Sequence, residues 1–358
     1  MKQRTELLSP GDCPRAGELI RQGRLVVFPT ETVYGIGADA GNPAAVAAIF
    51  EAKQRPADNP LIVHLPSLAE LPAAAAAVGN LEYALFESFA PGPFTMVLPR
   101  GTGIAPEVSA GLETVAVRVP LHAVAQRFLA AAGRPVAAPS ANRSGEPSPT
   151  AFAAACTAMS GRVAAVIDGG DCRYGIESTV IRVDTAARRV LVLRPGSVTV
   201  EMLTAALAEI AADERRARRE AQREIWKSYR VSVVGEPPPE TETPAVSPGT
   251  RHRHYQPRAP VYLLSRGQRS RLNPAAVGRR VGMLLAAPVP ARVSRDYPLL
   301  KMIHDSEEYG RVLYRSFAWF DSIGCDAIIA ELPPAGGVGL AVRDRLIRAA
   351  GGRGVPWQ

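Results

Sequence analysis

The chain has 358 residues, 47% of them hydrophobic and 21% charged, enough for two domains with packed cores. Its net charge of +8 favours anionic partners, and its four scattered cysteines, with no CxxC pair, argue against a disulfide framework or a zinc site. No stretch approaches the roughly 20 apolar residues of a membrane span, and the opening "MKQRTELLSPGDCPRAG" has no apolar signal core; the expectation is a cytoplasmic protein without membrane contact.

In chain order, "RLVVF" (24–28) reads as a buried strand closed by Pro29. "NPAAVAAIFEAKQR" reads as a helix with Asn42 as N-cap and Pro43 at its first position. "PLIVHL", "FTMVL", "TVAVRV", "PVAA", "VAAVIDGG", "STVIRV" and "RVLVLRPG" are further strands, several of them separated by helical patterns. Residues 1–205 therefore form an α/β domain around a large, mixed, twisted sheet. The mixed-charge segment 211–230 has no helix breaker and reads as an exposed helix leaving that domain. Seven prolines within residues 235–260 mark a linker, so 206–259 is charged helix and proline-rich connection. After Pro260, "VYLL", "RRVGMLL", a helix near 306–321, "DAIIAEL" and "GLAVRDRLIRAAGG" predict a small Rossmann-like parallel α/β domain over 260–358.

Polar groups gather at the strand ends, where ligands bind in α/β sheets. "FPTETVYGIG" (28–37) brings Thr30, Glu31, Thr32 and Tyr34 to the exit of the first strand. In "EAKQRPADNPLIVHL" (51–65), Lys53 and Arg55 share a face if 53–55 is extended. With Asn59 they suit a polyphosphate, or they form a solvated basic corner. His64 is either a core histidine or faces the same cavity. Arg118 is the one charge in an otherwise apolar strand and needs an anionic partner. Glu31, Asp168, Glu177 or a ligand carboxylate would serve. "APSANRSGEPSPT" (138–150) makes a stiff shelf of hydroxyls and backbone N–H donors, and "GIESTV" and "LRPGS" add Ser178, Thr179 and Arg194. There is no Ser-His-Asp signature and no activated cysteine. The inventory suits binding anions and catalysis by positioning and charge stabilisation.

"PTETVYGIG", "KQRPADNPLIVHL", "PGPFTMVL", "APSANRSGEPSPT", "ESTVIRV" and "LRPGSV" resemble the YrdC-like domain of L-threonylcarbamoyladenylate synthases. "SPGTRHRHYQP" (247–257) and "GLAVRDRLIRAA" resemble the linker and last helix of the two-domain form, so the resemblance spans nearly the whole chain. It implies a nucleotidyltransferase that makes threonylcarbamoyl-AMP from L-threonine, bicarbonate or CO2, and ATP with Mg2+, releasing pyrophosphate. The product passes to a tRNA threonylcarbamoyl transferase complex, with at most weak contact to tRNA itself. Carried over by motif, Thr32, His64, Arg118, Ala138 and Ser178 would hold threonine. Lys53, Arg55, Asn59, Thr114, Ser140, Ser148, Arg194 and Tyr255 would hold ATP. Lys53 and Arg55 would act as catalytic residues by neutralising phosphate charge, and Ser140 and Ser148 would donate to phosphates. No cluster forms a dedicated metal cage, so Mg2+ would arrive with ATP. The linker is expected to be a lid that orders over bound nucleotide, Tyr255 lying on the adenylate and Arg251 and Arg253 near the phosphates. Thr250 and Arg251 depart from the expected linker signature, where a hydrophobic residue and lysine are commoner. The alternatives are an RNA-binding module without catalysis and a carbamoyltransferase acting on another acceptor. The first lacks aromatic interleaving for base stacking; the second would need a further metal-binding domain.

Overall fold

A computed structural model describes residues 4–213, 220–234, 255–289 and 297–356. Apolar runs of three to six residues, most of them closed by proline, glycine or polar turns, become the strands of one eleven-stranded sheet. In chain order these are β1 (Glu6–Leu8), β2 (Val26–Phe28), β3 (Gly35–Asp39), β4 (Ile62–His64), β5 (Phe94–Pro99), β6 (Thr114–Arg118), β7 (Val136–Ala138), β8 (Ala165–Ile167), β9 (Thr179–Asp184), β10 (Arg189–Arg194) and β11 (Arg230–Val233). Their order in space is β1-β8-β2-β3-β7-β4-β6-β5-β9-β10-β11. Pairing is mixed: β4 runs parallel to β6 and antiparallel to β7, and β5 runs antiparallel to β6 and parallel to β9.

Helices cover the two faces unequally. Helices α1 (Cys13–Arg21) and α4 (Ala123–Ala132) bury Val26, Phe28, Val136, Ala138 and Ile167 on one face. On the other, α2 (Pro43–Lys53), α3 (Asn80–Phe89), α5 (Phe152–Met159) and α6 (Val200–Ala212) cover Val27, Val63, Met96 and Val117. Beyond α1 and α4 the first face carries a small apolar cluster of Ile62, Val97, Ala116 and Val180. Side chains alternate along a strand, so His64 follows Ile62 on this face, and Arg118 follows Ala116. This part of the sheet is the floor of the candidate site.

Asn42 caps α2 as expected, its side chain accepting from the backbone N–H groups of Ala44 and Ala45. Several features differ from the sequence reading, among them the short edge strand β1, which it did not include. Strand β3 arises within "YGIGADA", because Gly35 and Gly37 admit the Phe28 ring; a Cβ on Gly37 would stand 2.7 Å from Val136. Residues 53–55 are not extended: α2 runs through Lys53, and Gln54 caps it in the left-handed region at φ 52°. The two cations converge through that reversal, not through strand alternation. The segment expected to leave the domain after residue 205 stays on it. α7 (Glu220–Lys227) returns the chain to β11, which pairs parallel with β10. Trp226 and Tyr229, three residues apart, are buried in the main core, and that apolar area holds the segment down. Residues 235–254, with most of the proline-rich stretch and Arg251 and Arg253, lie outside the described residues.

The second unit is a parallel four-stranded sheet of β12 (Val261–Leu264), β13 (Val281–Ala286), β14 (Leu300–Ile303) and β15 (Ala327–Glu331), in the order β12-β15-β13-β14. The short β14 was not foreseen. Helices α8 (Ser306–Ser322) and α9 (Val338–Ala350) lie against it, α8 capped by Asp305. α8 also docks on the first domain. Gly175 is at φ +74°, and a Cβ there would stand 2.6 Å from the Arg311 backbone. Arg315 of α8 donates to Thr150 and pairs with Asp171 at 2.8 Å.

Replacing Trp226 with alanine in the full chain should lower stability by about 3–5 kcal/mol, the usual cost of a buried tryptophan. Denaturant unfolding checks this; a loss under about 1 kcal/mol would mean that α7 only rests on the surface.

Candidate active site

The cleft lies over the open part of the sheet floor, walled by the loops after β2 and β7, the end of α2, the residues just before β9 and the last residue of β10. The loop after β2 is fixed first. Thr30 Oγ1 donates to the Val33 carbonyl and stands 2.8 Å from Thr32 Oγ1. The Tyr34 N–H donates to the Pro149 carbonyl, and the Tyr34 carbonyl accepts from the Ala141 N–H. The two richest polar loops are therefore stitched together by their backbones.

Thr32, Lys53, Arg55, His64, Arg118, Ala138, Ser140, Ser178, Arg194 and Tyr255 all line this one cleft. Thr30, Ile62, Asn142, Ser144 and Glu177 line it too; the sequence reading had given none of them a substrate role. Asn59 is buried but does not line it; its carbonyl accepts from Arg55. Thr114 shares a face with Ala116 and Arg118 but sits at the far end of β6 from Arg118. Ser148 is buried behind the cleft wall, and its hydroxyl donates to Glu177 Oε1 at 2.6 Å. That hydroxyl is turned to the carboxylate, whereas the sequence reading gave it to a phosphate.

Three of the buried cations, Lys53, Arg55 and Arg194, are met mainly by neutral acceptors. Lys53 Nζ donates to the carbonyls of Ser140 and Asn142, which holds the serine-rich loop in place. Burial, and then Arg55 beside it, hold the Lys53 ammonium well below its ordinary value. Arg55 donates to the Pro60 carbonyl at 3.2 Å, and burial pushes its pKa down to about 10. Arg194 donates to the Ser178 carbonyl and hydroxyl, and Ser178 Oγ is 2.7 Å from Thr95 Oγ1. Carbonyl dipoles orient a guanidinium or ammonium without cancelling its charge, so the wall keeps its pull on anions.

Arg118 is different. It donates to Thr32 Oγ1 at 2.9 Å, and its Nη2 stands 2.8 Å from Glu31 Oε1. Glu31 is thus its anion, one of the partners the sequence left open. Yet neither Glu31 oxygen nor Arg118 Nη2 has a well-directed hydrogen bond among the described residues. The two charges attract by proximity alone, and a buried pair short of hydrogen bonds is one that a polar ligand can complete. His64 Nδ1 is 3.1 Å from the Ile62 carbonyl. A carbonyl only accepts, so Nδ1 carries the proton and Nε2 is left as an acceptor. Burial, and then Arg118, push the His64 pKa down to about 3, so the ring is neutral.

The far end of the cleft is closed by Tyr255 and by the second domain. Tyr255 stacks on Tyr314, ring centroids 5.5 Å apart, with the Arg345 guanidinium 5.6 Å from its own centroid. Its neighbour Gln256 donates its N–H to the Gly145 carbonyl.

Residues 18–196 match the family described as Telomere recombination, and residues 198–351 the C-terminal domain of threonylcarbamoyl-AMP synthase. The threonylcarbamoyl-AMP synthase of Bacillus subtilis is 38% identical over 360 residues, 98% of this chain and 96% of its own. That of Pyrococcus abyssi is also 38% identical, over 94% of each chain. The crystal structure of P. abyssi Sua5 complexed with L-threonine superposes with a TM-score of 0.81 at 35% identity, covering 98% of both chains.

Between His64's unfolded value of 6.5 and its folded value of about 3, the unfolded chain binds a proton that the fold excludes. Stability from this group therefore rises with pH across that window and is lost as pH falls. His64→Gln should show a flatter fall in urea midpoint over the window than the parent chain. Equal slopes would mean that the ring is not held neutral.

Proposed function

This chain belongs to the threonylcarbamoyl-AMP synthase family, and we propose that its cleft joins L-threonine, CO2 and ATP into threonylcarbamoyl-AMP and pyrophosphate. The observation that carries this reading is Arg118, a buried guanidinium at the cleft floor whose partner Glu31 leaves its hydrogen bonding incomplete. A threonine carboxylate completes it. Thr32 and the Nε2 acceptor of His64 flank the amino acid, and Ser178 and the backbone at Ala138 close that half. The threonine methyl lies among the apolar groups of Val33 and Ala138.

The nucleotide half is the cationic wall of Lys53, Arg55 and Arg194. The apolar strip of Ile62, Val97 and Ala116 leads from it toward Thr114 and suits an adenine ring. Ser140 lies between the halves; its hydroxyl donates to Asn142 Oδ1 and is turned to a phosphate by rotation about one bond. The threonine amine adds to CO2 and loses a proton, giving a carbamate. A carbamate oxygen attacks the α-phosphorus, and the bond to the bridging oxygen of pyrophosphate breaks. No protein nucleophile takes part. The chain holds the reactants in line and meets the charge that develops on the phosphates with pre-oriented cations. Magnesium enters as the ATP complex. Tyr255 shields the adenylate from water. In a cytoplasmic setting the product passes to a tRNA threonylcarbamoyl transferase.

Pyrophosphate release should require threonine and bicarbonate together, with serine poorer by about 1–3 kcal/mol for the missing methyl. Release without an amino acid would contradict the reading. Arg118→Ala should raise the KM for threonine with little change for ATP. Arg55→Ala should instead cost about 2–4 kcal/mol in transition-state stabilisation. An Arg118 variant altered only toward ATP would overturn the division into halves.

A further inference from the structure

Glu177 is a carboxylate in the wall of a cleft otherwise rich in cations. It lines the cleft beside Ser178, Arg194 and Tyr255, and is 6% exposed. Burial raises its pKa, but Arg345, Arg194 and the Ser148 hydroxyl outweigh burial, so the group is held ionised. An anion at this place would repel a triphosphate.

Its counter-charge comes from the other domain. Arg345 projects from α9, is fully buried, and holds Glu177 Oε2 at 3.0 Å through Nε. Nη1 of Arg345 donates to the Pro195 carbonyl, in the turn after Arg194, and to Asp344 at 2.8 Å. Tyr314 of α8 donates to Glu177 Oε2 at 3.0 Å. With Ser148, three donors converge on one carboxylate, and two of them belong to the second domain. Asp344 is in turn paired with Arg348 at 3.0 Å, so the two acids and two arginines sum to zero charge. A plain staple between domains does not need an ion pair; apolar residues of the same volume serve as well or better.

We propose that the second domain supplies an electrostatic component of the nucleotide half-site: Arg345 neutralises Glu177, so that ATP meets the full positive charge of the Lys53, Arg55 and Arg194 wall. This rests on the reading of the cleft as an ATP site. Arg345 touches neither substrate; it is a positioning residue acting through Glu177. Tyr314 supports the same carboxylate and stacks on Tyr255, so the domain also sets the ring that closes the cleft.

The test is calorimetric titration of full-length variants with ATP and magnesium, and separately with L-threonine. Arg345→Met should weaken ATP binding by about tenfold or more, because a buried anion loses its partner beside the ligand, and leave threonine affinity within about twofold. The double variant Glu177→Gln with Arg345→Met removes both charges and should regain most of the loss. Glu177→Gln alone should bind ATP at least as tightly as the parent, which keeps the proposal testable where Arg345→Met does not fold. A folded Arg345→Met protein with parental ATP affinity overturns the inference. So does a double variant no better than the single one, or equal loss of both ligands, which is what a structural staple gives. A parent chain that does not bind ATP at all overturns the synthase reading itself.

Discussion

A carboxylate taken out of water costs several kcal/mol unless charge and hydrogen bonds replace its hydration, and Glu177 is buried where the loops of the cleft meet the second domain. Ser148 reaches it from the serine-rich loop, and Arg345 and Tyr314 from helices α9 and α8 of the second domain. Gly196 lies in the same turn as Pro195; a Cβ there would stand 2.3 Å from the Thr179 N–H nitrogen, so the turn closes tightly on the residues that follow Glu177. Satisfying this one anion therefore fixes the loop, the turn, the domain interface and, through Tyr314, the ring of Tyr255.

The same rule, that a buried charge must be answered, sorts the rest of the cleft. Lys53, Arg55 and Arg194 are answered chiefly by backbone carbonyls and a hydroxyl, which orient them and leave their positive charge in the site. Arg118 is answered by Glu31, but without directed hydrogen bonds. The cleft thus has a strongly cationic wall and one arginine with donors to spare. That is a division suited to a polyphosphate on one side and a single carboxylate on the other. Catalysis by pre-oriented charge asks for no nucleophile and no strained residue, only that the wall be rigid and dry.

Much of this was legible in the sequence. Short apolar strands and a proline-started helix declare themselves locally, and so did the motifs that hold the ten expected site residues lining the cleft. What failed to show was set by tertiary partners. β3 is a glycine-containing strand made possible by the ring of Phe28. β11 is held by the burial of Trp226 and Tyr229, while its own alternating pattern is weak. Lys53 and Arg55 converge through a left-handed cap at Gln54 that no propensity favours. Arg118 plainly needed an anion, but only the fold chooses Glu31 over Glu177 or Asp168. Arg345 looked like any arginine of an amphipathic helix, because the carboxylate that buries it is 168 residues away in the chain. A sequence shows which residues need partners more readily than it shows who the partners are.

The central claim is that the carbon joining threonine to AMP comes from CO2. It is tested most directly by incubating the chain with ATP, magnesium, L-threonine and carbon-13 bicarbonate and reading the adenylate by mass spectrometry. The account predicts an adduct of AMP and threonine that carries one labelled carbon. An adenylate with threonine joined directly through its carboxylate, without label, would contradict it.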